Sequence, residues 1–225
     1  MSGIKVLSTI GMRTVLEEVT PAFEQANGVA VTRVYDSSIA LMKRIAAGET
    51  GDAAVFTAAA IDELIAQGKI ADRTDLTRSF VGIAVRKGAP QPDIATPDAF
   101  KKAMLAAKSI ARSETGASGL YFASLIERLG LADALNPKII VQDGIVGRIA
   151  ARGEAEIAVQ QISELMQADG IDIVGPLPDE LQSITVFSGG VFKGTAVADL
   201  AKAYVAHLAS PAFAAVIRLK GMEPA

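Results

Sequence analysis

The stretch Phe80-Val81-Gly82-Ile83-Ala84-Val85-Arg86 decides the fold of this chain. It is a short, mostly apolar run closely followed by turn signals, which predicts a buried strand. The group Gly88-Ala89-Pro90-Gln91-Pro92 comes soon after it and is the clearest linker signal in the sequence. A second long strand is predicted over residues 184–192. These two strands flank a full set of strand–helix units, so we predict two lobes with two crossings between them.

Outside these strands, β-branched runs alternate with amphipathic helical stretches, a pattern typical of α/β proteins with mostly parallel sheets. The predicted strands cover residues 4–8, 29–35, 53–56, 80–86, 109–111, 139–142, 156–160, 171–174 and 184–192. The predicted helices cover residues 12–27, 38–47, 61–67, 98–107, 119–129, 145–151, 163–167, 196–208 and 211–220. The sequence thus predicts an α/β fold, with residues 1–82 and 190–225 in lobe I and residues 83–189 in lobe II.

Composition excludes several classes of function. The 225 residues are 50% hydrophobic and carry a formal net charge of -3, whereas a nucleic-acid-binding protein normally shows a basic excess. The chain has no cysteine and a single histidine, His207, so disulfides, thiolate metal sites and most Ser-His-Asp catalysis are excluded. Neither a GxGxxG motif after a strand nor a phosphate-binding P-loop occurs. We therefore expect no metal, no cofactor and no nucleic-acid partner.

The expected location of the protein depends on how the first residues are interpreted. No basic segment followed by an apolar run stands after Met1, and no apolar stretch reaches the ~18 residues that span a bilayer. We expect no membrane insertion. We expect a cytoplasmic location for the chain as given, and a periplasmic one if a signal peptide has been removed.

Polar loops follow several of the predicted strands. Ligands of parallel α/β sheets bind outside the carboxyl ends of the strands, next to helix N-termini. The ligand-binding residues predicted on this basis are Ser8, Thr9, Ser37, Ser38, Arg112, Ser113, Ser118, Gln160 and Gln161. Each hydroxyl has an alternative role as a simple helix N-cap. The loop 112–119 is longer than a helix N-cap requires. Arg112 is the strongest candidate for binding a carboxylate, because its planar guanidinium can donate to both carboxylate oxygens.

The remaining candidates concern a catalytic base. Because His207 is predicted on the packed face of a late helix, a base would have to be a carboxylate or Tyr121. Glu114 is the first candidate and Asp143 the second, with a solvated loop carboxylate as the alternative interpretation. Arg13 is interpreted as a solvated residue of the first helical turn.

Several phrases resemble type II periplasmic binding proteins of the molybdate-binding family. They are Val6-Leu7-Ser8-Thr9, Asp36-Ser37-Ser38, Gly51-Asp52-Ala53-Ala54-Val55, Ser118-Gly119-Leu120-Tyr121 and Ser210-Pro211. The resemblance implies a two-lobed type II fold with a double crossover hinge and a small anionic ligand. It also implies the permease of an ABC transporter as partner if the protein is exported. Ser38 and Ser118 match the family's ligand positions, whereas Gln160-Gln161 stands where a tyrosine is expected.

Three further phrases are similar to a branch of this family that includes aconitate isomerase. They are Arg152-Gly153-Glu154-Ala155-Glu156-Ile157, Gln160-Gln161-Ile162-Ser163-Glu164-Leu165 and Gly175-Pro176-Leu177-Pro178. This similarity implies a polycarboxylate ligand. The leading hypothesis is a solute-binding-type protein that holds a di- or tricarboxylate in an interlobe cleft. The alternatives are an isomerase that catalyses a 1,3-allylic proton shift, a molybdate- or oxyanion-binding component of an ABC transporter, and a protein-interaction module.

Overall fold

The computed structural model describes residues 3–225, which divide into two compact units. Unit 1 contains the chain up to Ser79 together with Thr185–Ala225, and unit 2 is Phe80–Ile184. The chain therefore passes twice from one unit to the other, each time inside or beside a long strand. Both junctions fall a few residues before the lobe boundaries indicated by the sequence. The expected mixed α/β fold is confirmed.

Unit 1 is built on a sheet that combines parallel and antiparallel strands. Its elements are β1 (Gly3–Thr9), α1 (Arg13–Asn27), β2 (Ala30–Asp36), α2 (Ser38–Ala46), β3 (Ala53–Thr57), α3 (Ala58–Ala66), the first part of β4 (Thr74–Arg86), most of β9 (Ile184–Val191), α9 (Ala198–Leu208), α10 (Ala214–Leu219) and β10 (Met222–Pro224). The strand β1 pairs in parallel with β2 and β3, and β9 is antiparallel to β3. The carboxyl ends of β1, β2 and β3 consequently lie at one edge of the sheet.

The helix α1 shows how sequence pattern becomes packing in unit 1. Its predicted apolar face, Val15, Leu16, Val19 and Phe23, is buried. It ends at Gly28, whose φ of +63° is a left-handed conformation that glycine adopts without strain. The hydroxyls of Thr20 and Tyr204, one from α1 and one from α9, lie 2.8 Å apart and are both buried. The predicted helix and its inward face are confirmed.

Unit 2 repeats the strand–helix alternation. Its elements are the second part of β4, α4 (Pro97–Ala106), β5 (Ile110–Arg112), α5 (Ala117–Arg128), α6 (Ala132–Leu135), β6 (Ile139–Val141), α7 (Gly147–Ala151), β7 (Ile157–Gln161), α8 (Ile162–Leu165) and β8 (Ile171–Pro176). The strand β5 pairs in parallel with β6 and β7, while β4 is antiparallel to β7 and β8. The carboxyl ends of β6, β5 and β7 therefore share one edge.

Several elements differ from the sequence prediction. The strand β4 begins at Thr74 rather than at Phe80, and β10 pairs with Thr77–Ser79 of this added part. The segment 88–92 lies within unit 2, where the backbone amide of Gly88 donates to the Asp172 carboxylate at 2.8 Å. The predicted helix over 211–220 is a short 3-10 turn, Pro211–Phe213, followed by α10. Short 3-10 turns are frequent at the N-termini of α-helices, so the predicted helix keeps its place but begins with a tighter turn.

Candidate functional site

The most polar strand end of unit 2 follows β5. This strand closes with Arg112, and the loop after it leads into α5. Ser113 is 2% exposed and Ser118 is 1% exposed. The backbone amide of Gln142, just after β6, donates to the carbonyl of Arg112 at 3.2 Å. The predicted donors of this loop are therefore held inside a packed strand edge.

Glycine gives this loop its tight path. A Cβ at Gly116 or at Gly119 would overlap Ser113, so neither position has room for a larger residue. The Arg112 guanidinium braces the same turn, because its Nη1 donates to the carbonyl of Ser113 at 3.0 Å and to that of Gly119 at 3.5 Å. The close packing against Ser113 and the hydrogen bonds from Arg112 therefore both fix the conformation of the loop.

Three donors in this loop have no hydrogen-bond partner among the described residues. They are Arg112 Nε, Ser113 Oγ and Ser118 Oγ, and all three atoms are buried. An unsatisfied buried polar group costs about 1–3 kcal/mol, and native proteins keep such groups for a reason. One cationic and two hydroxyl donors at one loop form a set suited to an anion. This loop, Arg112–Gly119, is called the anion loop below.

The two glutamines at the end of β7 are both 2% exposed. The Gln160 amide is used within the protein, since its Oε1 accepts from the Val146 amide at 2.9 Å and its Nε2 donates to the Gly144 carbonyl at 2.8 Å. Gln160 therefore ties β7 to the start of α7. Gln161 is the last residue of β7 and precedes α8. The ligand roles predicted for both stay predictions.

A buried carboxylic acid follows these glutamines. Glu164 is 8% exposed, its Oε2 has no hydrogen-bond partner, and it takes part in none of the ion pairs within residues 3–225. Burial raises the pKa of the Glu164 carboxyl to about 7, which a hydrogen bond to Gln160 offsets only in part. Sequence reasoning missed this residue, although an acid between Ile162 and Leu165 next to a buried strand is a signal for it.

The two acids predicted as bases stand in different surroundings. Glu114 is exposed at the tip of the anion loop. Asp143 is also exposed, and its Oδ1 accepts from the Thr115 amide at 3.2 Å and from the Thr115 hydroxyl at 2.8 Å. Asp143 thereby joins the loop after β6 to the anion loop. Neither acid has the burial that sets Glu164 apart.

The predicted hydroxyls of unit 1 lie at the carboxyl edge of β1, β2 and β3. The Ser37 hydroxyl caps α2 by accepting from the Ala40 amide at 3.1 Å, and Ser38 Oγ accepts from the Thr57 amide at 3.5 Å. Ser8 is fully buried and its hydroxyl donates to the Thr9 carbonyl at 3.2 Å. Thr9 is 5% exposed and makes no capping bond with its side chain.

Arg13 is partly buried, in contrast to its interpretation from the sequence as a solvated residue. Its guanidinium carbon lies 4.8 Å from the centroid of the Tyr35 ring. Both Arg13 Nε and Tyr35 Oη are buried and have no hydrogen-bond partner among the described residues. Burial raises the pKa of the Tyr35 hydroxyl to about 12, with Arg33 as the main opposing influence. The sequence carried no signal for Tyr35, because an aromatic residue in a strand is ordinary core.

Within residues 3–225, no three His, Asp or Glu side chains are grouped so that they could hold a metal ion. Within the same residues, no single helix is long and apolar enough to cross a membrane, although the bent pair Ala198–Leu208 and Pro211–Leu219 reaches that length and hydropathy when counted together.

Known proteins with the same architecture are two-lobed binding proteins. The structure resembles the periplasmic molybdate-binding protein of Azotobacter vinelandii with a TM-score of 0.81 and 20% identity, covering 97% of this chain and 98% of that one. It resembles the sulfate-binding protein SubI of Mycobacterium tuberculosis with a TM-score of 0.77 and 16% identity, covering 100% and 87%. These similarities confirm the two-lobed type II periplasmic binding fold.

Sequence comparison then places the chain in a family. Residues 4–223 match the family of bacterial extracellular solute-binding proteins, and the chain belongs to that family. It is also 38% identical to a Pseudomonas aconitate isomerase over 98% of this chain and 87% of that protein. The predicted resemblance, molybdate-binding-like with an aconitate isomerase branch, is confirmed.

Proposed function

We propose that this protein binds a small organic anion with two or three carboxylate groups, and that the anion loop of unit 2 holds one of them. The observation that carries the proposal is the set of three buried donors without partners, Arg112 Nε, Ser113 Oγ and Ser118 Oγ. A guanidinium beside hydroxyls suits a carboxylate, because hydrogen bonds between charged groups are about twice as strong as neutral ones. The similarity to an aconitate isomerase supports a tricarboxylate.

Calorimetric titration with citrate, trans-aconitate and molybdate tests this proposal. We expect binding of at least one tricarboxylate and none of molybdate. Arg112→Lys keeps the charge but loses the fork, so affinity should fall by about 1–3 kcal/mol. The exposed residue Arg148 supplies the matched control, and Arg148→Lys should bind like the parent protein. Tight molybdate binding, or unchanged tricarboxylate affinity in Arg112→Lys, would show that the anion loop has been misassigned.

A second candidate function is isomerisation of the bound tricarboxylate. Glu164 favours it, since a buried carboxyl whose pKa is about 7 suits general acid–base work near neutral pH. In an aconitate, the Glu164 carboxylate would take a proton from the CH₂ group, and the C–H electron pair would become the new double bond. The former π pair would then take the proton from Glu164 at the other allylic carbon. The proton that Glu164 removes returns to the substrate, so the reaction has no net change in protons or in oxidation state.

Ultraviolet absorbance of trans-aconitate, followed with and without the protein, separates the two candidates. Loss of the trans isomer and appearance of the cis isomer would establish an enzyme, whereas binding without conversion would leave a solute-binding protein. Glu164→Gln should then abolish conversion while retaining binding, and Glu114→Gln should leave both intact. Under the binding role we propose the permease of an ABC transporter as partner. The isomerase role requires no partner.

A further inference from the structure

Arg13 and Tyr35 come together at the polar edge of unit 1. Arg13 is the first residue of α1, which follows β1 after a short 3-10 turn. Tyr35 stands opposite Ser8 in the parallel pairing of β1 and β2, one residue before β2 ends. Both residues therefore belong to the edge where parallel sheets bind ligands. The fold itself, rather than a chance surface contact, brings them together.

Their polar atoms are held in place but not used. The guanidinium of Arg13 lies 4.8 Å from the Tyr35 ring centroid, a distance at which a cation is attracted to an aromatic face. Arg13 Nε and Tyr35 Oη are both buried without a hydrogen-bond partner among the described residues. None of the ion pairs found within residues 3–225 includes Arg13. Two donors, one of them cationic, are thus fixed side by side.

The charged side chains next to Arg13 and Tyr35 make their contacts with other groups. Arg33 Nη1 donates to the Leu16 carbonyl at 3.2 Å. The Asp36 carboxylate accepts from the Ser37 amide at 2.8 Å and lies 3.6 Å from Arg44 Nη1. The charge of Glu17 also raises the pKa of the Tyr35 hydroxyl, but the Glu17 side chain is exposed on α1. The cation of Arg13 is therefore not neutralised by an acid of this edge.

We propose that Arg13 and Tyr35 form a carboxylate subsite on unit 1, in which the guanidinium and the phenol hydroxyl both donate to one carboxylate group. This inference rests on the proposed function, since it assigns donors on unit 1 to the ligand class proposed there, a di- or tricarboxylate. The phenol remains a neutral donor at all physiological pH values, because burial raises its pKa to about 12. A carboxylate has two acceptor oxygens and so matches the two donors in number and charge.

Tyrosine absorbance gives a direct readout of this subsite. The chain has 3 tyrosines, 8 phenylalanines and no tryptophan, so a difference spectrum recorded at wavelengths longer than the phenylalanine band reports on tyrosine alone. The hydroxyl of Tyr121 already donates to the Leu181 carbonyl at 2.8 Å, and that of Tyr204 bonds to Thr20. Citrate is a suitable probe because it has no chromophore in this range. Titration with citrate should produce a tyrosine difference spectrum that Tyr35→Phe abolishes.

Calorimetry on matched variants completes the test. Arg13→Lys should weaken citrate binding at least about tenfold, the scale of a lost charge-assisted hydrogen bond, while the neighbouring Arg33→Lys stays within about twofold of the parent. Melting temperatures confirm that each variant is folded.

Citrate binding without a tyrosine signal and without an effect of Arg13→Lys would overturn the subsite but leave the proposed function intact. Sulfate that gives the same spectrum at the same affinity would overturn the carboxylate assignment. Absence of any tricarboxylate binding by the parent protein would overturn the proposed function and the subsite together.

Discussion

A single carboxyl group, that of Glu164, sets a measurable pH dependence of stability. Its pKa is about 7 in the folded protein, well above the ordinary value of 4.5. Between about pH 4.5 and pH 7 the native state holds a proton that the unfolded chain has released, so stability must fall as pH rises through this range. The stability that this proton contributes is fully present below pH 4.5 and is lost above about pH 7. The difference between the two pKa values corresponds to about 3 kcal/mol in the free energy of unfolding.

We therefore predict that Glu164→Gln removes this dependence. Urea unfolding of the parent and the variant should show their free energies of unfolding diverging by about 3 kcal/mol between pH 4.5 and pH 8, with the variant gaining relative stability as pH rises. The exposed Glu114 supplies a control, and Glu114→Gln should change the free energy of unfolding by no more than about 0.5 kcal/mol, as surface substitutions usually do. Parallel curves for the parent and Glu164→Gln would contradict the burial argument.

At the residue scale, the sequence indicates which types of group occupy the strand ends but not which of their atoms lack partners. Arg112, Ser113 and Ser118 follow from the rule that ligands lie at the carboxyl ends of parallel strands. Gln160 satisfies the same rule, yet its amide also bonds to Gly144 and Val146, which the local pattern did not indicate. Whether a polar side chain is satisfied depends on long-range packing, and a local pattern does not contain that information.

At the scale of elements, the start of α5 depends on the absence of a side chain at Gly119. A Cβ there would overlap both the carbonyl and the hydroxyl of Ser113, so the first turn of α5 would have to move away from the loop. Arg112 Nη1 donates to the Gly119 carbonyl at 3.5 Å, so the same movement would release the guanidinium. Helix start and anion loop are therefore one structural unit.

We predict that Gly119→Ala destabilises the protein by about 1–3 kcal/mol, the usual range for overpacking, and weakens tricarboxylate binding as well. Leu120, the next residue, has a side chain that is 46% exposed, so Leu120→Ala tests the same turn without steric conflict. Denaturant unfolding and calorimetry on both variants check the prediction. Normal ligand affinity in a destabilised Gly119→Ala protein would show that the loop and the helix start are independent.

Element prediction succeeded where the pattern was long and local. The helix α1 has four apolar residues at helical spacing and a glycine at its end, so its bounds were predictable. The strand β10 was missed, because Met222–Pro224 becomes a strand only by pairing with Thr77–Ser79, far away in the sequence. Short elements of this kind are stabilised by tertiary contacts, which propensity does not describe.

At the scale of the whole molecule, the two units differ in how the chain builds them. Unit 2 is one continuous segment, and its two hydrophobic cores draw on residues between Val81 and Leu181 only. The larger core of unit 1 combines residues from Ile4 to Leu76 with residues from Phe187 to Met222. A continuous segment with complete cores meets the requirements of an independent domain, whereas half of a shared core does not.

We therefore predict that the fragment 80–184 folds cooperatively on its own, while the fragment 1–79 does not. The second fragment lacks β9, the antiparallel partner of β3, and it lacks Tyr204, which meets Thr20 in the core. It would expose the unpaired edge of β3 and the apolar face of α1. Circular dichroism, urea titration and amide dispersion in NMR spectra of both fragments check the prediction. A fragment 1–79 that unfolds cooperatively, or a fragment 80–184 without a cooperative transition, would mean that stability depends on contacts beyond each unit's own core. If the prediction holds, the anion loop can be titrated with citrate on the isolated unit 2, because Arg112, Ser113 and Ser118 all lie within it.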